Sequence, residues 1–381
     1  MKFVRSLRTL DIVVGISSNK IKPRSRNRWP FYGVLLMVLV LTGCQSMFGP
    51  RALKQTHPAY KDAIVNSMNE QMLQNLVRMR YRDVPMFLEI VSVTTSLSME
   101  TEISASLPDS FSLSPSVTIS NNPTISYAPL RGEELLKGIL SPLELQSMLV
   151  FTKSGWSISR VLGLCIERLN NLQNAPTASG PTPDFAPEYE EYKELISLLR
   201  KLQLSHLLEF GLEELGDQSQ IVVKFSADSH EMESEFNRIY ELLGLDPNRH
   251  IFNLNSNFLS VNDSSWTVRT RSITSVLYYL SQNVKVPAEH EAVGLVTVTE
   301  DKNGNPFDWN KTPAGAVFKI SSSKSFPSNA FVTTFYRGHW FYIEDSDLNS
   351  KSTFSLVLAL FNLQSGRTKY QGPTLTLPVG G

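Results

Sequence analysis

Residues able to do chemistry are few in this chain and stand apart from one another. Ser321 and Lys324, in "SSSK", have the S-x-x-K spacing, in which serine attacks and lysine takes its proton. That chemistry needs the serine at a helix start, with SDN and KTG companions. Here "AVFKISSS" predicts a strand ending at the serines, and neither companion is present. "GWSIS" approaches a nucleophile elbow at Ser157, but Ser159 stands where the second glycine belongs. The histidines His57, His206, His230, His250, His290 and His339 never pair at metal-ligand spacing, and "HEMES" lacks the second histidine of a zinc helix. Asp345, Asp347 and Asn349 mimic the opening of a calcium loop. Ser350 replaces its glycine and Leu356 its bidentate glutamate, so strand exit and helix capping explain the acids better. No catalytic, cofactor-binding or metal-binding residue follows, and no cofactor. The chain is expected not to be an enzyme, a periplasmic serine hydrolase acting through Ser321 being the alternative.

Arg337, His339 and Trp340, in "YRGHWFYIED", are the candidate partner contact, because arginine and aromatic side chains dominate binding hot spots. The competing expectation is that Trp340 and Tyr342 pack one sheet face while Arg337 and His339 are solvated beside the turn. Cys165 shares an apolar helical face with Ile158, Val161, Leu162 and Leu169, which describes a buried structural thiol.

The longest pattern is "VSVTTSLSMETEISASLPDSFSLSPSVTISNNPTISY", residues 91–127. Odd positions are mostly apolar and even ones mostly Ser, Thr or Glu, which predicts two strands joined by a short turn. Two arrangements fit. The hairpin packs its odd face on the preceding Met-rich helix, or each subunit of a ring contributes it to a shared barrel. In the barrel Val93, Leu97, Val117 and Ile119 face lipid, and a closed barrel alone satisfies the strand backbones there.

The N-terminus suits such a placement. Lys20, Lys22, Arg24, Arg26 and Arg28 precede "PFYGVLLMVLVLTG" and Cys44, the layout of a secretory signal. Leu41, Thr42, Gly43 and Cys44 resemble the bacterial lipobox, which implies lipidation of Cys44, and by the same resemblance Gln45 favours sorting to the outer membrane. The long preamble suggests a true start downstream of Met1. Residues 1–43 carry eight Lys and Arg against Asp11 alone. Of the 36 of each sign in the chain, 28 basic and 35 acidic therefore remain, a net of −7. No basic stripe is left for nucleic acid.

The expected class is α+β: N-terminal helices with a long amphipathic β-hairpin, a helical middle and a C-terminal antiparallel sheet flanked by helices. The divisions are 1–43, signal segment with lipobox; 44–172, helix, hairpin and helical pair; and 173–187, a linker or surface loop in "NAPTASGPTPDFAPEYEEY". Residues 188–250 form a helical middle that includes "EEYKELISLLRKLQLSHLLEFGLEELG", 251–365 the C-terminal α+β domain, and 366–381 a tail. Ser141, Pro142 and Glu144 predict a capped helix start. Gly244 predicts a C-cap and Ser272 an N-cap. Strands are expected in "AVGLVTVTED", "AVFKISSS", "AFVTTFY" and "HWFYIED", with Asn303-Gly304 and Arg337-Gly338 as turns.

The blocks "PTISYAPLRGEELLKGILSP", "VRTRSITSVLYYLSQNVKVP" and "YRGHWFYIEDSDLNSKSTFSLVLALFNLQSG" resemble those of a family of bacterial outer-membrane and envelope lipoproteins to which no activity is attached. The resemblance implies a lipid anchor on the periplasmic side of the outer membrane and carries no site residues. The expected partners are outer-membrane lipid and either further copies of the chain or other envelope proteins. The expected role is structural, in an envelope complex such as a secretion assembly, with a periplasmic interaction module outside the bilayer as the alternative.

Overall fold

The computed structural model describes residues 50–106, 112–129 and 133–365, apart from 182, 216–217, 227–231, 257 and 259–261. The signal segment, Cys44, His230 and the tail 366–381 lie outside the described residues. The chain divides into two units. One holds Leu88–Ala128 with the chain up to Val65, and the other, called the body below, holds Asn66–Phe87 and Pro129–Gln371.

In the first unit, β1 (Leu88–Ser106) and β2 (Ser112–Pro129) bond to each other in a two-stranded sheet. The five positions between them are too few for a parallel crossover, so the pair is antiparallel. The alternating pattern therefore does form a hairpin.

The body begins within α1 (Pro50–Arg80). Met72, Leu73, Leu76, Val77 and Met79 are 0–3% exposed and belong to the body's hydrophobic core. Val65 and Met68, earlier on the same stripe, are 45% and 40% exposed. Short helices α2 (Glu133–Leu140), α3 (Leu145–Lys153) and α4 (Ile158–Cys165) follow. The capped start expected at Ser141 is displaced. Ser141 closes the previous helix through its N–H to Lys137, Pro142 bridges Ser272, and Glu144 is the N-cap of α3 with no side-chain cap bond.

Among the described residues a six-stranded mixed sheet runs β4-β3-β8-β7-β6-β5. Its strands are β3 (Ile166–Leu169), β4 (Leu172–Gln173), β5 (Leu208–Leu215), β6 (Gln218–Phe225), β7 (Ile251–Asn255) and β8 (Ser265–Thr270). Only β7 and β8 pair in parallel. Helices α5 (Glu190–Leu204) and α6 (Glu233–Leu243) accompany it. Phe225 is its aromatic hub, with the rings of Phe236, Tyr240, Phe252 and Trp266 between 5.6 and 6.1 Å away.

One expectation for the middle of the chain fails here, and another is met only in part. The helix expected to continue to residue 215 ends at Leu204, His206 turns the backbone at φ 57°, and Leu208–Leu215 is a strand. Leu208, Phe210 and Leu212 alternate with Glu209, Gly211 and Glu213, a period of two that suits pairing along β6, and Gly211 weakens the competing helix. The segment 173–187, expected as a linker or surface loop, is irregular and exposed at Asp184 and Phe185, but its first part is built into the interior. Asn174, Ala175 and Ala178 are fully buried, and Pro176–Ser179 forms a 3-10 turn. Asn174 donates to the carbonyls of Gly163 and Ile166 at 2.8 and 2.7 Å. Arg271, itself buried, donates to Ile166 O at 2.7 Å, to Ala175 O at 3.2 Å and to Asn174 O, and its guanidinium lies over Tyr279. A polar segment thus enters the interior because its backbone acceptors find buried donors.

Helix α7 (Ile273–Ser281) opens as expected, with Ser272 accepting from Ser275 N–H, and Gly244 closes α6 at φ 63°. Beyond it, "AVGLVTVTED" is not a strand. Helix α8 (Ala288–Ala292) leads into irregular chain with isolated bridges at Glu300, and "AVFKISSS" yields only β9 (Ser321–Ser323). Strands β10 (Ala330–Tyr336) and β11 (His339–Glu344) meet at the Arg337-Gly338 turn, where φ is 46° and 84°. Their sheet runs β10-β11-β9, antiparallel throughout, and α9 (Leu348–Ser365) closes the described chain. No described helix is long and apolar enough to cross a membrane.

Candidate functional site: a tyrosine, histidine and arginine junction

The tip of the β10–β11 hairpin meets the end of α1 and the short helix α8. Arg337, with its backbone in the left-handed region, reaches Asp83 at 2.9 Å and lies 5.2 Å over the ring of Tyr81. Tyr336 donates its hydroxyl to the same Asp83 carboxylate. Burial pushes the Asp83 carboxyl up, but the hydrogen bonds from Tyr336 and Arg337 outweigh it and hold it below the ordinary range.

Tyr81 O–H lies 2.7 Å from Nδ1 of His290 on α8. Burial raises the tyrosine to about 12, while burial and then the neighbouring His339 lower His290. Tyr81 is therefore the donor and His290 a neutral acceptor. The His290 and His339 rings meet edge to face with centroids 5.0 Å apart. His339 Nε2 is 3.2 Å from Glu289 Oε1, and Lys324 reaches the same oxygen at 3.1 Å. Nδ1 of His339 is buried with no partner, an arrangement that costs about 1–3 kcal/mol when an acceptor is left unsatisfied.

The expected solvated side of β11 is reversed. His339, Phe341 and Ile343 are its buried face, while Trp340 and Tyr342 are half-buried on the other. The strand alternates as expected and in the opposite phase, because the core formed with Tyr81 and α8 lies on the histidine side. Of the candidate partner contact, Arg337 and His339 enter the junction. Trp340 instead joins Phe326 and Phe335 in an aromatic cluster, with centroids 4.9 and 5.1 Å away.

Among the described residues the serine arrangements show these contacts. Ser321 is registered opposite Tyr342, and Lys324 is held by Glu289. Ser157 Oγ pairs with Ser159 Oγ at 2.8 Å. Asp347 caps α9, accepting from Ser350 N–H at 3.0 Å and Ser350 O–H at 2.6 Å, and Asp345 binds Lys351. No group of side chains among the described residues is placed to hold a metal ion. Cys165 is fully buried as the last residue of α4, and Leu169, expected on the same helical face, lies on β3 instead because the helix ends at Cys165. Burial, only partly offset by Arg271, raises the Cys165 thiol to about 12. Val93 and Leu97 lie within β1, and Val117 and Ile119 within β2.

Tyr81, Asp83, Glu289 and His290 escape sequence reasoning. They come from "RYRD" and "AEHEA", which show no periodic signal, and they meet Arg337 and His339 only through the fold. The junction links buried Tyr81 and His339 through His290 to the exposed carboxylate of Glu289, and it holds residues 80–87, just ahead of β1. Asn75 strengthens that hold by exchanging two bonds with the Met86 peptide at 2.7 and 2.9 Å, and Phe87 stacks on Phe361 at 4.6 Å. No protein-family model, curated protein or solved structure matches the chain.

Proposed function

We propose that this chain is a lipid-anchored structural component of a bacterial envelope complex, which contributes its β1–β2 hairpin to an oligomeric outer-membrane barrel. The observation that carries the reading is a pair of strands, 19 and 18 residues long, that form a sheet of their own among the described residues. Two-stranded sheets are marginal alone in water, and the edges of any such sheet invite further strand pairing. Side-by-side copies satisfy those groups, and ring closure removes the edges. Small hydroxyl residues on one face and Val, Leu and Ile on the other suit a wet lumen and a lipid wall.

At about 3.3 Å per residue each strand extends roughly 60 Å, against about 30 Å of hydrocarbon. Part of the hairpin would stand clear of the bilayer. Pro115 and Pro123 on β2 favour a second reading, in which the hairpin adds to a partner's sheet in the periplasm, because proline cannot donate to a ladder. The junction supports either role by holding the chain that enters β1.

The anchor is tested by Cys44→Ser, which should abolish fatty-acid labelling and leave the precursor unprocessed. The barrel is tested by labelling single cysteines in native membranes from a Cys165→Ala background. Odd positions such as Leu97 and Ile119 should accept a lipid-phase probe, and even positions such as Ser98 and Thr118 a water-soluble one. Odd positions silent to the lipid probe in folded protein would exclude the barrel and leave the periplasmic module.

A further inference from the structure

Outside the junction, the start of α4 gathers positive charge that no acid neutralises among the described residues. Its first turn has no acidic residue, and Arg160 is its third residue. A cation there opposes the helix dipole, whose positive end is the N-terminus. Burial first, and the Arg200 guanidinium of α5 second, hold Arg160 below its ordinary value. Arg160 donates to Asn349 at 2.9 Å while its Nε is buried without a partner. Among the described residues no ion pair joins Arg160, Arg200 or Lys153 to a carboxylate.

Two of these cations, Lys153 and Arg200, line an open groove of about 640 Å³, within the range of small-molecule sites. Lys153, Arg200 and His206 line its polar side, and Ile158, Leu208 and Phe210 its apolar side. Glu209 is the acid on its wall and is registered opposite Lys224 of β6. Gln203 fixes the shape. It accepts from Arg200 at 2.6 Å and from Ile158 N–H at 2.9 Å, and donates to Trp156 O at 3.1 Å, tying α5 to α4. Thr152 and Phe210 are shared with a small apolar cavity of about 20 Å³ that Met148, Leu162 and Trp266 help to wall.

We propose that this groove binds an amphipathic molecule carrying a phosphate group, the phosphate against Arg200 and Lys153 and the apolar part against Leu208 and Phe210. Arginine's planar fork matches phosphate oxygens, and an ammonium beside it adds charge without demanding geometry. A purely inorganic anion would leave the apolar wall unused. The phosphate can belong to a phospholipid headgroup or to a soluble phosphate ester, and the chemistry at the groove is the same. The groove does not depend on the hairpin's role, since every residue it uses lies in the body.

The test is calorimetric titration of the full chain in non-ionic detergent with dihexanoyl phosphatidylglycerol, hexyl phosphate and inorganic phosphate. At least one of the two amphipathic phosphates should saturate one site and bind more tightly than inorganic phosphate, and whichever binds tighter identifies the source. Arg200→Gln should weaken that binding at least about tenfold, the loss of a forked, charge-assisted contact. Lys153→Gln should weaken it about threefold, the smaller loss of a hydrated point charge. Lys153 is exposed and leaves the Gln203 network intact, so it reports even if Arg200→Gln perturbs folding. Non-saturable binding, variants that bind like the parent, or inorganic phosphate binding as tightly as both amphiphiles would each overturn the proposal.

Discussion

The β1–β2 and β5–β6 hairpins obey the same alternation and have different surroundings. In β5–β6 each strand has eight residues, β6 pairs with β7 on its other side, and Val223 and Phe225 are 0% and 1% exposed in the aromatic core. In β1–β2 the strands are more than twice as long and pair with no third strand among the described residues. A short hairpin can be held by what covers it. A long one needs many more partner groups, which the proposed assembly would draw from other copies.

The largest expected effect breaks the covered hairpin. Phe225→Ala should destabilise the body by about 3–5 kcal/mol, the range for losing a fully buried aromatic ring, as read from the denaturation midpoint. If the two hairpins depend on different supports, membrane labelling at positions 97 and 119 should survive in whatever fraction remains folded. A loss under about 1 kcal/mol would show that the aromatic hub is not what holds β6.

The second effect strikes the other hairpin. Ile119→Lys should cost the assembled particle about 2–4 kcal/mol if the residue faces the middle of the bilayer. Thr118→Lys should leave the particle intact. Native particle size after detergent extraction distinguishes them, and equal behaviour of the two variants would remove the sidedness on which the comparison rests.

A smaller effect is expected at Cys165, the last residue of α4. Cys165→Ala should cost about 1 kcal/mol, and the native thiol should react slowly with a disulfide reagent, since burial holds it at about 12. Fast native labelling would mean that the body opens more readily than its packing implies.

The smallest effect is a pH slope at the junction. His290 titrates below its ordinary 6.5 because of burial and then His339, with Glu289 opposing. The unfolded chain therefore takes the proton first. The stabilisation is complete above about pH 6.5 and is lost as pH falls through the lower folded value. Denaturation midpoints should drop between about pH 7.5 and about pH 5.5, and His290→Gln should flatten that drop. A slope unchanged in the variant would assign the effect to other groups.

Much of the local structure was legible because it is periodic or capped. The alternation of 91–127, the Gly244 and Ser272 caps, the Arg337-Gly338 turn and the apolar face around Cys165 all depend on neighbours a few residues away. The errors share a cause. "LLEFGLEEL" has both helical and strand character, and pairing with β6 decided it. "NAPTASGP" has the composition of a loop, and Arg271, nearly a hundred residues away, draws it into the core. Of the junction, Arg337 and His339 stood out as residue types, but which face of β11 they would occupy depended on Tyr81 and α8.

By itself, then, the amino-acid order determined that this chain builds an α+β body, carries one long alternating hairpin, and holds an acidic excess once residues 1–43 are set aside. Period, turn chemistry and charge are properties of short stretches, so they need no fold to be read. The tertiary structure alone decided that Asp83 would meet Arg337, that His290 would lie against His339, and that Lys153 and Arg200 would line one open groove. Those meetings join residues 47 to 254 positions apart, and they exist because side chains and backbone groups must find partners wherever packing brings them together.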